Sequence, residues 1–376
     1  MSDDSLIALL ILVALLTLIQ PKNRLKKKSS RRILLTDDEQ AMESCCGHVD
    51  SFGIKVIKQL PFISGMVCEI EEGQDQKLLT LNQSLRIEED AKVYIVEENI
   101  LATAIPTDTI SLTGAPSLWP KTKGQGISVA IIDTGVAEHP DLNIKGGLST
   151  LGDVFTDDFF DDNGHGTHVA GIVGANGGTR GLLGMAPEVD LYAVKALDKN
   201  GSGYVSDIIE GIAFAVQEGI DVANLSLGTG ESSEALHRAV RKAALSSTIL
   251  VAAAGNTGMT ENPELLYPAK YPEVLSVGSV NNNEAFSRFS SYGSELDLLA
   301  YGENILSTFL GKSYRRESGT SMAAPQVSGA LALLLGFGYR KKDAIRVLLK
   351  NAKRLSLPVE KQGRGLLSLA ALANQY

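Results

Sequence analysis

The sequence predicts an α/β protein in which a doubly wound, mostly parallel sheet follows a small α+β unit. Three observations lead there. Past Gly126, continuous β-branched and apolar runs recur at 127–132, 191–196, 222–227, 248–254 and 274–280. Such runs fit strands covered on both faces. Helical periods lie between them, at 166–174, 204–217 and 233–244, and that alternation calls for right-handed crossovers and a parallel sheet. Upstream, residues 33–101 carry shorter segments of both kinds, enough for a separate small unit.

Taken in order, the chain opens with an apolar run from Leu6 to Ile19, followed by the cations Lys22, Arg24, Lys26, Lys27, Lys28, Arg31 and Arg32. A run of fourteen residues falls short of the ~20 that cross a bilayer straight. Asp3 and Asp4 precede the run where a signal peptide carries positive charge. Residues 1–32 are therefore expected to tether the protein to a membrane through residues 6–19, with removal as a signal peptide the alternative. By charge alone the basic cluster would keep the rest cytoplasmic. Outside residues 22–32, 28 basic residues face 44 acidic ones, a net of −16, the wrong sign for a nucleic-acid reader. Cys45, Cys46 and Cys68 are the only cysteines, so no disulfide framework or thiolate metal site holds the larger part.

Within 33–101, residues 32–36 read as a strand. Asp37 to Val49 reads as a helix with Thr36 as its cap and Glu39 completing a capping box. Residues 54–70 offer two apolar stretches around Ser64-Gly65, residues 74–82 a second helix, and Arg86 to Val96 a strand. Residues 100–112 connect this unit to the larger one, and residues 102–376 form the larger domain.

Chemistry concentrates at the carboxyl ends of the parallel strands, where α/β sheets bind ligands. Gly319-Thr320-Ser321-Met322-Ala323-Ala324-Pro325 precedes an apolar helix, so Ser321 lies where free N–H groups and the helix dipole favour negative charge. Pro325 is expected in the first turn. A serine hydroxyl needs a base. His165, between Gly164 and Gly166, is the candidate, and Asp133 at the end of its strand can orient the imidazole. Asn256, after Ala254-Gly255, can donate to an oxyanion. Each has a plainer reading: Ser321 as a helix cap, Asp133 and Asn256 as turn residues, His165 with His168 as a metal pair.

In the order Asp133, His165, Asn256, Ser321, these motifs make the chain resemble the subtilisin-like serine proteases, the S8 family, from about Ala102 to Tyr376. The resemblance implies peptide-bond hydrolysis through an acyl-enzyme, with Asp133, His165 and Ser321 as triad and Asn256 in the oxyanion hole. It implies that Ser226-Leu227-Gly228 is the edge that pairs with extended substrate, and that Leu266 stands where a very small residue floors the S1 pocket. Residues 33–101 resemble an inhibitor-type propeptide, Ile87-Glu88-Glu89-Asp90 echoing the pattern near its end. No cofactor is implied for catalysis. A structural calcium is, with Asp141 as its main side-chain ligand and Thr103 and Gly178 standing where carboxamides are typical. The partners implied are polypeptide substrates and the chain's own propeptide, and the catalytic domain is expected on the extracytoplasmic face. An inactive peptide-binding module and an esterase are the alternatives.

Overall fold

The computed structural model describes residues 29–81, 84–96, 109–178 and 181–372. The apolar run 6–19, most of the basic cluster and the junction 97–108 lie outside the described residues.

The small unit runs β1 (Ser29–Leu35), α1 (Glu39–Ser51), β2 (Lys55–Leu60), β3 (Gly65–Glu71), α2 (Gln74–Leu81), β4 (Arg86–Glu89) and β5 (Lys92–Ile95). The first four strands form an antiparallel sheet in the order β2-β3-β1-β4. Strand β1 takes in Ser29 to Arg32, which the charge pattern assigned to the basic stretch. Arg31 pairs with Asp90 at 2.9 Å and Arg32 with Glu89 at 3.3 Å, so these cations belong to the folded unit. The cap of α1 is Asp38 rather than Thr36: Asp38 Oδ1 accepts from the Ala41 N–H at 2.8 Å. Thr36 is drawn away, its hydroxyl donating to the carbonyls of Asp38 and Ser64.

The larger unit contains α3 (Thr109–Thr113), β6 (Ser128–Asp133), β7 (Ile144–Ser149), α4 (His165–Gly174), β8 (Asp190–Lys195), β9 (Ser202–Tyr204), α5 (Val205–Gln217), β10 (Val222–Leu225) and β11 (Leu227–Gly228). It continues through α6 (Glu234–Leu245), β12 (Ile249–Ala253), β13 (Leu275–Val280), β14 (Leu298–Tyr301), β15 (Ile305–Phe309), β16 (Ser313–Glu317), α7 (Thr320–Gly336), α8 (Lys341–Asn351) and α9 (Val359–Gln362). Seven described strands form one parallel sheet, β14-β13-β12-β10-β6-β8-β7. This is the doubly wound sheet the apolar runs predict.

Side chains alternate along each strand between two cores. Val129, Ile131, Val251 and Val277 pack with α4 and α7 on one face. Ala130, Ile132, Leu250 and Ala252 pack with α5 and α6 on the other. That second core also takes Ile33, Leu35, Leu60 and Val67, so one face of the small sheet is buried against the larger unit. Its other face covers a core of its own with Met42, Cys45, Val49 and Leu78.

Two helix starts of the larger unit are capped from the small one. Glu88 accepts from the Ser233 hydroxyl at 2.6 Å and from the N–H groups of Glu234 and Ala235. Asp90 accepts from the Ser206 N–H at 3.0 Å and its hydroxyl at 2.9 Å. Carboxylates at helix N-termini satisfy orphan donors and meet the positive end of the dipole. Asp90, buried in this role, also ends β4, so the run 86–96 divides. Beyond the turn, β5 leaves the small sheet and lies between β11 and β9, antiparallel to both.

Pro325 is the sixth residue of α7, not part of its first turn. A proline there deprives the carbonyl four residues earlier, that of Ser321, of its helical donor. The Ser226 hydroxyl replaces it at 2.9 Å, which lets the helix continue.

Candidate active site

Strand β6 ends at Asp133 and helix α4 begins at His165, and the two side chains meet with Oδ1 2.7 Å from Nδ1. Both are buried. A third carboxylate, Asp161, sets this approach. Its oxygens accept from the Thr134 hydroxyl, the N–H groups of Asn163, Gly164 and Thr167, and the Thr167 hydroxyl, at 2.6–3.0 Å. The Thr134 hydroxyl in turn accepts from the Gly166 N–H at 2.9 Å. A Cβ on Gly166 would lie 2.1 Å from the Gly135 carbonyl oxygen, so only glycine lets the helix start this close to the strand.

Ser321 occupies the second position of α7, also on the carboxyl edge. Beside it, Asn256 Oδ1 accepts from the Thr320 N–H at 3.1 Å and its hydroxyl at 3.0 Å. The Thr320 hydroxyl also accepts from the Gly255 N–H at 3.1 Å. Those contacts fix the plane of the amide and turn its NH2 away from Thr320. Asn256 Nδ2 is buried and meets no acceptor among the described residues. A buried donor without a partner is costly, and here it is held beside the nucleophile by two bonds on the other end of the same amide.

The cleft is filled by the chain itself. Ile95 of β5 pairs with Leu227 and Tyr94 with Gly228. The Val96 N–H donates to the Ser226 carbonyl at 3.4 Å, and Ser321 Oγ donates to the Val96 carbonyl at 2.5 Å and to that of Ser226 at 2.9 Å. An extended segment thus lies on the 226–228 edge with one carbonyl against the serine hydroxyl. Leu266 stands next to it. A Cβ on Gly228 would lie 2.8 Å from Leu266 Cβ, and one on Gly255 2.8 Å from Leu266 Cγ. The side chain is therefore wedged between these two backbone walls.

His168 does not join the group. It is buried, and its Nε2 lies 3.0 and 3.1 Å from the carbonyl oxygens of Ile305 and Arg315, which assigns that nitrogen a proton. Burial and the neighbouring His165 push its pKa down to about 3, so it is a neutral structural histidine. With Nε2 committed to carbonyls, the metal-pair reading of His165 and His168 has no support. Among the described residues no three His, Cys, Asp or Glu side chains gather as a metal cluster.

The comparison with known proteins decides what this arrangement belongs to. The model of the subtilase family matches residues 124–367. The chain belongs to the subtilase family. It is 40% identical over 307 residues to an intracellular serine protease of Paenibacillus polymyxa, covering 75% of this chain and 92% of that protein. It is 42% identical over 286 residues to subtilisin E of Bacillus subtilis (strain 168), covering 75% and 73%. With an alkaline protease of Shouchella clausii it shares 43% identity over 264 residues, 69% of this chain and 66% of that one. It is a subtilisin-like serine endopeptidase, and polypeptides are its substrates.

Sequence reasoning put Asp133, His165, Asn256, Ser321, Leu266 and residues 226–228 on one edge; Asp133 meets His165, and Ser321 lies next to Thr320, which bonds Asn256, with its hydroxyl on the Val96 and Ser226 carbonyls. It missed Asp161, Thr134 and Thr320. Each stands inside or beside a motif already singled out, but a buried aspartate in Asp161-Asp162-Asn163-Gly164 reads as an ordinary loop. It also missed Val96 as the residue whose carbonyl faces Ser321.

At the loop that the resemblance gives to calcium, the described side chains bond within the protein. Asp141 is buried, but its Oδ2 accepts from the Tyr314 hydroxyl at 2.6 Å. Asn176 Oδ1 accepts from the Gly178 N–H at 3.0 Å. A Cβ on Gly178 would lie 2.7 Å from the Pro140 carbonyl and 3.2 Å from both Asp141 Oδ1 and Asn176 Oδ1. Three described oxygens thus converge on the space beside Gly178, whereas calcium wants six to eight. Thr103 lies outside the described residues. Millimolar calcium added to EDTA-treated mature enzyme should raise Tm by no more than a few degrees. A rise of about 10 °C, on the scale of the ~4 kcal/mol from a ligand a thousandfold above its Kd, would show a tight site.

Proposed function

We propose that this endopeptidase is made as a self-processing zymogen, with Asp133, His165 and Ser321 as its triad. On this reading residues up to Val96 form an inhibitory propeptide cut at the Val96–Glu97 bond. The observation that carries it is the β5 segment paired with Leu227-Gly228 while the Val96 carbonyl sits 2.5 Å from Ser321 Oγ. Main-chain pairing of that kind is how an extended substrate adds to a sheet edge.

On this reading the Ser321 hydroxyl, which donates to the Val96 and Ser226 carbonyls in the closed state, turns to His165 before the first step. His165 takes the hydroxyl proton as Ser321 Oγ attacks the Val96 carbonyl carbon. Asp133, on the other ring nitrogen, holds the tautomer and stabilises the imidazolium. The carbonyl oxygen, now negative, turns from Ser321 Oγ toward Asn256 Nδ2 and the Ser321 N–H at the helix start. The bond to the Glu97 nitrogen breaks, and that nitrogen leaves with the proton from His165. Water then attacks the acyl-enzyme with His165 again as base, releasing the Val96 carboxylate. Until the propeptide departs, β5 keeps the cleft closed to other polypeptides.

Substituting Ala for Ser321 should lower kcat by about 10⁶ and leave the chain uncut, while Asn256→Ala should lower kcat roughly 100- to 1000-fold with KM nearly unchanged. Mass spectrometry should place the first cut of the wild type after Val96. Normal maturation of Ser321→Ala expressed alone would assign processing to another protease.

The wedge formed by Leu266 supports a shallow S1 pocket, suited to Ala or to a β-branched residue such as Val96. Each buried CH2 that a larger P1 residue cannot place forgoes about 0.8 kcal/mol. In Leu266→Gly the ratio of kcat/KM for Phe over Ala at P1 should rise at least tenfold, about 1.4 kcal/mol of discrimination. An unchanged ratio would put Leu266 outside the pocket.

The apolar residues 6–19 support a membrane tether; on the resemblance to propeptide-bearing enzymes we place the protease on the extracytoplasmic side, against the charge rule that the cations would apply. Added proteinase should therefore cut the chain on intact cells; full protection would place the enzyme inside.

A further inference from the structure

One buried ion cluster joins the two units and has no part in the reaction. Lys58, on β2 of the small unit, is 6% exposed. Its ammonium donates to three oxygens of the larger unit: the Thr150 carbonyl at 2.8 Å, Asp207 Oδ1 at 2.9 Å and Glu210 Oε2 at 2.8 Å. Asp207 and Glu210 lie one turn apart on α5, and Asp207 is also held by the Tyr204 N–H at 2.9 Å. Three donors of one ammonium thus meet three acceptors arranged by the catalytic unit alone. We propose that this cage is a recognition site for a lysine side chain on an inhibitory domain, and that Lys58 in it sets how long the cleaved small unit stays on the enzyme.

The proposal rests on reading residues up to Val96 as a propeptide, and it goes beyond that reading. Backbone pairing of β5 and the caps from Glu88 and Asp90 would serve many inhibitory domains alike. Only the cage demands one side chain. An apolar residue at position 58 would leave Glu210, the Thr150 carbonyl and one oxygen of Asp207 buried without the ammonium, which is strongly unfavourable. Specificity of this kind comes from penalising the wrong partner.

The cluster also carries a pH dependence. Lys58 brings one positive charge to two carboxylates, and Asp90 nearby adds a third, itself paired with Arg31. Burial raises the pKa of Glu210 to about 7, against the opposing pull of Lys58, with Asp207 and Asp90 adding to the rise. Burial raises Asp207 as well. Burial works to lower the Lys58 pKa, but the two carboxylates outweigh it and the net shift is upward. Once the small unit leaves, Glu210 faces water and its pKa falls back toward the ordinary value of a glutamate. The docked state then holds its proton more tightly than the separated state. Its contribution to docking is complete below the free value and is lost as pH rises through about 7. The small unit is thus held in mild acid and released in mild base.

The test uses the full chain, reading the lag before activity on a chromogenic peptide and co-elution of the cleaved fragment in gel filtration, at pH 6 and pH 8. Wild type should show a lag at least fivefold longer at pH 6. Lys58→Met should shorten the pH 6 lag at least tenfold and lose the co-eluting fragment, with kcat/KM of the mature enzyme unchanged. Should Lys58→Met fail to mature, Glu210→Gln, altered only in the catalytic unit, carries the test: its lag should be equal at the two pH values. A normal lag and co-elution in Lys58→Met, or a wild-type pH dependence in Glu210→Gln, would overturn the proposal while leaving cleavage after Val96 in place. Absence of that cleavage in the wild type would instead remove the propeptide reading itself.

Discussion

The carboxylate of Asp161 is the contact on which the catalytic edge depends. It is fully buried, carries no partner cation among its hydrogen bonds, and is satisfied by donors on both sides of the strand–helix junction. Backbone N–H groups at the start of α4 supply three of those bonds, so the helix dipole supports the charge they hold. The same carboxylate grips Thr134, the residue after Asp133. Strand end and helix start are thereby joined within one hydrogen-bond radius, and the distance from Asp133 to His165 follows from that joint rather than from the two residues themselves.

Helix N-termini recur as the organising device. Helix α4 presents His165, α7 presents Ser321 beside Asn256, and α5 and α6 receive Asp90 and Glu88 from the small unit. In each case, donors left over by helix geometry are aimed at one edge of the sheet. Two of these helices carry the proposed catalytic side chains, and two hold the domain that covers them. The parallel sheet accounts for this, since every crossover helix pointing its N-terminus at the carboxyl edge is a property of βαβ topology.

The fold class was legible because both sheet faces are covered. Runs such as Val129 to Ile132 and Ile249 to Ala253 show no alternation of polarity, and that is the signature of a doubly packed strand. Helix boundaries were legible within a residue or two where a cap such as Ser233 marks them. What escaped the sequence depends on contacts between distant segments. Asp38 displaces Thr36 as a cap only because Thr36 bonds the Ser64 carbonyl. The split of 86–96 depends on where Asp90 finds the start of α5. Pro325 is harmless within α7 because Ser226, almost a hundred residues earlier, reaches the carbonyl it frees. Lys58 reads as a solvent-facing strand residue until its three acceptors are in view. Single-sequence patterns record burial and periodicity, and they contain no term for a partner supplied by another element.

The passage of β5 through the cleft has a kinetic meaning. A carbonyl held against Ser321 by the same polypeptide is presented at an effective concentration no dissolved substrate reaches. If Ser321 cuts there, as we propose, that cleavage is unimolecular and its rate does not depend on how many copies share the solution. Hydrolysis of any other polypeptide is bimolecular and, on the same reading, begins only after the cleft empties. On that proposal one active site runs two reactions of different order: the first timed by the molecule's own geometry, the second by the supply of substrate around it.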